Sequence, residues 1–214
     1  MKNQKNNIEF EEYEKALYQK GFSFICGVDE VGRGPWAGPI TAAAVIILNF
    51  KSEILNLGIN DSKKLTEKKR EEIFEKLICC DNIIYSLSWI SSEEIDKIGL
   101  GNANQLVLKK AVEGLEEKAD FALVDGFEIK GLNIPQEKFI KGDQKVFSIA
   151  VASIIAKVSR DRYMIELAKE YPQYGFDEHK GYGTAKHIGA IHQFGLCPEH
   201  RKSFKPIKEF QNIK

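Results

Sequence analysis

Phe24-Ile25-Cys26-Gly27-Val28-Asp29-Glu30-Val31-Gly32-Arg33-Gly34-Pro35-Trp36-Ala37-Gly38-Pro39-Ile40-Thr41-Ala42-Ala43-Ala44-Val45-Ile46-Ile47-Leu48 is the stretch that decides the fold. Two apolar runs, Phe22 to Val28 and Ile40 to Leu48, flank a polar break. Both runs are short and rich in β-branched residues, which predicts two buried strands. The break is unlike an ordinary hairpin turn, because Asp29 and Glu30 stand where the first strand ends. An ionised carboxylate is costly to bury unless a cation or a donor meets it. Adjacent acids in this position therefore mark a site at a sheet edge. Gly32, Gly34 and Gly38, stiffened by Pro35 and Pro39, predict a compact loop that a ligand or another backbone can approach closely. Its N–H groups suit an anion such as phosphate. The plainer alternative is a tight connection whose acids face solvent. Neighbouring strand side chains point to opposite faces. Glu30 is therefore expected to lie where the strand has already broken toward Gly32.

Outward from this stretch, Ile8 to Lys20 reads as a helix with Phe10, Tyr13 and Leu17 on one face and Gly21 as its stop. Thr66 is a good N-cap for a helix from Glu67 to Cys80. Ile83 to Trp89 alternates as a third strand, Ser92 is expected to cap a short helix ending at Gly99, and a second helix is expected from Asn102 to Lys118. Phe121 to Val124 predicts a fourth strand ending in Asp125-Gly126, and Phe139-Ile140 a short fifth. Lys145 to Tyr171 is the longest helical stretch, stopped by Pro172, and Thr184 to Phe194 is a last helix closed by Gly195. Three antiparallel strands followed by strand–helix alternation predict an α/β mixed sheet with helices on its faces.

Two further acids fall at comparable places. Asp125 follows an apolar strand, and sites in open α/β sheets gather outside such strand ends; read alone, Asp-Gly is also a common turn. Asp143 follows Gly142 ahead of the long helix, where an N-cap is the bland reading. Asp29, Glu30, Asp125 and Asp143 together form a set of hard oxygen ligands without a companion His/Cys set, which favours Mg²⁺ or Mn²⁺ over zinc. Two such ions clamp the attacking and leaving oxygens of a phosphodiester. Asp161, between Arg160 and Arg162, reads as an ion-pair partner within its helix. His179, His187, His192 and His200 lack zinc spacing and are taken as surface or structural.

The 214 residues fit one large domain with a helical extension, and a 43% hydrophobic content is enough for a real core. The longest apolar run is too short to span a bilayer, and the N-terminus lacks the apolar stretch of a signal peptide, so a cytoplasmic protein without a membrane is expected. Cys26, Cys79, Cys80 and Cys197 contain no Cys-x-x-Cys, which predicts reduced, buried thiols. With 31 basic and 31 acidic side chains, net charge gives no argument for nucleic acid, so distribution has to carry one. Bases crowd residues 63 to 70 and 200 to 208. Lys63 and Lys64 read either as a solvated helix entrance or as point charges on a phosphate. Tyr182, between two glycines, reads as a surface aromatic or as a stacking platform.

Gly27-Val28-Asp29-Glu30-Val31-Gly32-Arg33-Gly34-Pro35, continued past Trp36 by Ala37-Gly38-Pro39, resembles the signature of the bacterial ribonuclease HII family, the type 2 ribonucleases H. Trp36 stands where that family more often has leucine. Asp61-Ser62-Lys63-Lys64-Leu65, Leu123-Val124-Asp125-Gly126, Gly142-Asp143, the Ser148 to Asp161 run, Gly181-Tyr182 with Thr184, and His200-Arg201 with Ser203-Phe204 resemble its further blocks in order. Val146 and Val151 depart from the serine and alanine usual there. The resemblance implies a ribonuclease H-like mixed β-sheet flanked by helices, with a catalytic core over about residues 22–172 and a C-terminal helical part over 173–214. It implies that Asp29, Glu30, Asp125 and Asp143 hold Mg²⁺ or Mn²⁺. It also implies that Gly32-Arg33-Gly34 and Tyr182 recognise a ribonucleotide-to-deoxynucleotide junction, the loop sensing the 2′-OH. The expected activity is endonucleolytic cleavage of the RNA strand of RNA–DNA hybrids and of ribonucleotide-containing duplex DNA by a monomer, leaving 5′-phosphate and 3′-hydroxyl ends. Related type 3 enzymes carry an added N-terminal domain, and only about twenty residues precede the first strand here. The rival readings are another two-metal nuclease on this fold, such as a junction resolvase, and a non-catalytic nucleic-acid-binding protein with a vestigial metal site.

Overall fold

The computed structural model describes residues 12–50, 52–59 and 65–210. In chain order these form α1 (Glu12–Gln19), β1 (Ile25–Val31), β2 (Ile40–Ile47), α2 (Ser52–Leu55), α3 (Glu67–Ile78), β3 (Ile83–Ile90), α4 (Ser92–Ile98) and α5 (Leu100–Glu113). There follow β4 (Phe121–Asp125), β5 (Gln136–Phe139), a 3₁₀ turn (Gly142–Gln144), α6 (Phe147–Glu170), α7 (Phe176–His179), α8 (Ala185–Phe194) and α9 (Lys205–Phe210). The α/β class expected from the sequence holds, with five strands in the order β3-β2-β1-β4-β5. Among the described residues, no helix is long and apolar enough to cross a membrane.

The described residues fall into two compact units, one within Met1–Glu30, Ala42–Ser88 and Leu108–Val158, the other within Val31–Thr41, Trp89–Val107 and Ser159–Lys214. The first unit is built on the sheet. β1 and β4 pair in parallel from Ile25↔Phe121 to Val28↔Val124, and β4 pairs in parallel with β5. β2 is buried along its whole length, which accounts for its unbroken apolar run. Leu17, Ile25, Leu123, Phe139, Val146 and Ile149 close one side of this core. Here the N-terminal half of α6 lies against β1 so tightly that a Cβ on Gly27 would come within 2.2 Å of the Ser148 carbonyl carbon. The start of α6 is capped from a distance. Ser148 donates both its N–H (3.0 Å) and its hydroxyl (2.8 Å) to the buried Glu14 carboxylate of α1. Such a charge suits a helix N-terminus, where unsatisfied N–H groups concentrate.

The second unit is helical. Ala37, Met164, Leu167, Tyr174, Phe176, Ile191 and Ile207 form its core, drawn from the C-terminal half of α6, the helices after it and the loop between β1 and β2.

Several expectations are corrected. β1 does not break before Glu30; it runs on through Val31, and the turn comes at Gly32, whose φ of +94° is the left-handed conformation that favours glycine. Ser91, not Ser92, caps α4, accepting from the Glu94 N–H, while Ser92 is buried. α5 starts earlier and stops at Glu113, where Gly114 closes it. Asp143 is not the N-cap of the long helix; it sits in the separate 3₁₀ turn ahead of it. Thr66 caps α3 as expected, and Thr184 caps α8 rather than forming its first residue. Of the thiols, Cys26 and Cys197 are buried, whereas Cys79 is exposed. Residues 8–11 of the first expected helix, and Lys63 and Lys64, lie outside the described residues.

Candidate active site

Parallel register places the acids. With Val28 opposite Val124, Asp29 and Asp125 come at the C-terminal ends of neighbouring strands. Asp125 Oδ1 accepts the Gly142 N–H at 2.7 Å, and this bond docks the turn that carries Asp143 against β4. Asp143 is fully buried, Asp29 almost so, and Glu30 and Asp125 are half-buried. The Asp29 carboxyl is held well above the usual carboxylate range, first by burial and then by the negative charges of Glu30 and Asp125. Hydrogen bonds from the Ser153 hydroxyl of α6 and from the Glu30 N–H (2.8 Å to Oδ1) oppose that rise. The sequence carries no local sign of this role for Ser153.

The structure thus brings Asp29, Glu30 and Asp125 within electrostatic reach of one another, with Asp143 one residue from the contact to Asp125. Among the described residues, no group of three or more Asp, Glu, His or Cys side chains stands ready to hold a metal ion. The donor set nonetheless fits a hard divalent cation. Its ligand atoms are carboxylate oxygens, and the mutual repulsion felt at Asp29 is the kind of field such an ion relieves.

In the second unit, Gly32, Arg33 and Gly34 form a loop clamped from beneath by two buried arginines. Arg201 donates from Nε to Gly38 O (2.9 Å), from Nη1 to Arg33 O (3.3 Å) and from Nη2 to Gly32 O (2.6 Å). Arg160 donates to Pro39 O (2.9 Å), Ala37 O (3.2 Å) and Lys180 O (3.1 Å). In a trans peptide the carbonyl and the following N–H point in opposite directions. Drawing the Gly32 and Arg33 carbonyls inward therefore turns the N–H groups of Arg33 and Gly34 outward. Burial lowers both guanidiniums, Arg160 to about 10 and Arg201, which also feels Arg160, to about 9. Both remain cationic at neutral pH. Tyr182 lies beside this loop: a Cβ on Gly34 would sit 3.4 Å from Tyr182 Cε1. Tyr182 is 45% exposed. The sequence carried no sign of the clamp, because each arginine is far along the chain from most of the carbonyls it holds. His179, His187 and His200 are buried rather than on the surface, and only His192 is exposed.

The profile of the ribonuclease HII family matches residues 26–207. Ribonuclease HII of Caldicellulosiruptor saccharolyticus is 52% identical over 193 residues, covering 90% of this chain and 92% of that protein. The Caldicellulosiruptor bescii protein of the same name is 50% identical over the same shares. Among solved structures, ribonuclease H2 from Pyrococcus horikoshii OT3 superposes with a TM-score of 0.75 at 26% identity, over 88% of this chain and 97% of that one. A family match over most of the chain, at half-identity and with the acids at neighbouring strand ends, leaves one assignment: the chain belongs to the ribonuclease HII family of ribonuclease H endonucleases.

Proposed function

We propose that this chain is a cytoplasmic, monomeric, divalent-cation-dependent endoribonuclease. It cleaves the RNA strand of RNA–DNA hybrids and cuts 5′ of ribonucleotides embedded in duplex DNA, leaving 5′-phosphate and 3′-hydroxyl ends. The observation that carries the reading is the placement of Asp29 and Asp125 on adjacent parallel strand ends with the Asp143 turn bonded to Asp125.

Asp29, Glu30, Asp125 and Asp143 would hold Mg²⁺ or Mn²⁺. When bound, such ions orient a water for in-line attack on phosphorus and stabilise the departing 3′-oxygen. The chain's own groups do the positioning. Ser153 and the Glu30 N–H fix the Asp29 carboxylate, and the Gly142 N–H fixes Asp125 by Oδ1. The outward N–H groups at Arg33 and Gly34 approach the sugar that bears a 2′-OH, the group that separates RNA from DNA. Tyr182 packs on the following deoxyribose. Lys63 and Lys64 serve as phosphate contacts.

The test is cleavage of a duplex with one embedded ribonucleotide, with Mg²⁺, with Mn²⁺ and with chelator, in wild type and Asp125→Asn. Expected is metal-dependent cutting by the wild type, and near-complete loss in Asp125→Asn with duplex binding kept, because positioning and chemistry use different groups. Binding without cutting by the wild type under either metal would favour the non-catalytic reading. Wild-type turnover in Asp125→Asn would remove Asp125 from the mechanism.

A further inference from the structure

Behind Tyr182 lies a line of buried imidazoles, and the bonds at its two ends fix every proton in it. The Cys197 N–H donates to His200 Nδ1 at 2.9 Å. A backbone N–H only donates, so Nδ1 is bare and neutral His200 carries its proton on Nε2. His200 Nε2 lies 3.0 Å from His187 Nε2, so the latter must accept. His187 then carries its proton on Nδ1, 3.0 Å from the Tyr182 carbonyl, a group that only accepts. The reversed set would point the His200 Nδ1–H at the Cys197 carbonyl (3.2 Å). It would also oppose two protons at the Cys197 N–H and two lone pairs at Tyr182. One direction alone satisfies every contact.

The environment keeps the line neutral. Burial is the first cause that lowers both His187 and His200, each to about 4, with neighbouring imidazoles adding to it. His179 stacks on His187 at 4.6 Å between ring centroids. It is fixed in the same way, accepting the Gly181 N–H at Nδ1 (3.3 Å) and meeting the Tyr174 carbonyl at Nε2 (2.7 Å). The Cys197 thiol, pushed up to about 11 by burial, stays protonated 3.1 Å from His200 Nδ1.

The line ends on one peptide. Tyr182 donates its N–H to His179 O (2.9 Å), and its carbonyl also accepts the Thr184 N–H (2.8 Å). An exposed ring is thus mounted on a main chain held from both sides. We infer that His200 and His187 are positioning residues for Tyr182: a one-way hydrogen-bond chain, Cys197 to His200 to His187 to Tyr182, sets the seat of the ring and with it the preference for a junction. The inference rests on the proposed role of Tyr182.

Three variants separate the bond from the bulk. Asparagine at 187 keeps a donor near the Nδ1 position and loses the far nitrogen. Glutamine keeps a group near Nε2 and loses the donor to Tyr182. Leucine loses both. All three are expected to lower Tm. The ratio of kcat/KM on a single embedded ribonucleotide to that on a continuous RNA–DNA hybrid is expected to fall about 2- to 10-fold in His187→Gln and His187→Leu, the worth of one hydrogen bond, and to fall less in His187→Asn, which keeps the bond to Tyr182 and loses only the link to His200. Nitrogen-15 spectra of the wild type at neutral pH are expected to show His187 protonated at Nδ1 only and His200 at Nε2 only. The opposite tautomers, or an imidazolium at either, would overturn the chain. A wild-type ratio in His187→Gln would overturn its role. If Tyr182→Ala itself leaves the ratio unchanged, the junction reading of Tyr182 fails and the role falls with it, whereas the spectra still decide the chain.

Discussion

Replacing Gly27 by alanine tests whether the closeness of α6 to β1 serves the site. Gly27 and Asp29 are two residues apart on a strand and so face the same side. That side meets α6, where Ser148 lies against Gly27 and Ser153 bonds Asp29. The alanine Cβ would fall 2.2 Å from the Ser148 carbonyl carbon and 2.4 Å from the Ile149 nitrogen. Both are main-chain atoms that no rotamer change can move. Restoring an ordinary contact of 3.4 Å means parting helix and strand by about 1.2 Å at this point. Forced overpacking of a tight core costs about 1–3 kcal/mol. The same shift stretches the Ser153 bond to Asp29, and a hydrogen bond to a charged group is worth about 1.5–3 kcal/mol. A total loss on the order of 2–4 kcal/mol is expected from urea unfolding, since the two terms share one displacement. Single-turnover cleavage should fall at least about tenfold, because misplacement by about 1 Å can cost a hundredfold. Gly101→Ala is the matched control: it lies in α5 with nothing within 4 Å of an added Cβ. It should be neutral or stabilise by up to about 1 kcal/mol. Gly27→Ala within about 0.5 kcal/mol of wild type, cutting at the wild-type rate, would refute the reasoning.

Tyr182→Ala should cost about 5- to 150-fold more on a single embedded ribonucleotide than on a continuous hybrid, the worth of one stacking face, while Tyr182→Phe keeps most activity; equal losses on both substrates would show that the ring does not read the junction. Ser153→Ala removes a bond that holds the Asp29 carboxyl down, so its carboxyl rises further and the rate deficit should be larger at pH 6 than at pH 8; a deficit independent of pH would place Ser153 outside the control of Asp29. Stability should fall on acidification. His187 and His200 titrate near 4 when folded and near 6.5 when unfolded, so between these values the unfolded chain binds more protons. Their neutral-state contribution is complete above about pH 6.5 and is lost toward pH 4, at roughly 1 kcal/mol per pH unit for each. Urea unfolding at pH 7, 6 and 5 checks this, and a slope in His187→Asn as steep as the wild type's would count against it.

What the chain revealed before its structure depended on the range of the interaction. β1, β2 and β4 were legible because their apolar runs are local facts, and Asp29 and Asp125 because an acid after such a run is out of place unless it does something. Thr66 was legible because a cap and its target are three residues apart. Glu30 was misplaced for the same local reason: the two-residue alternation suggested an early break, while the backbone waits for Gly32 to turn. Asp143 resembled a cap because helix starts and site acids use the same residue type. Glu14, Arg160, Arg201 and the paired histidines were illegible in these roles. Glu14 serves a serine 134 positions away, Arg201 a carbonyl 169 positions away, and an acidic or basic residue in sequence carries no label for such a partner.

Trp36 has a consequence for how this chain has diverged. Its indole occupies the space over Gly183 so fully that a Cβ there would come within 2.2 Å of Cζ2. The two positions are therefore not independent variables. With this indole in place, a side chain at 183 calls for a shifted or smaller side chain at 36. Paired substitution at these two sites is an inheritable constraint that a survey of relatives can read as co-variation.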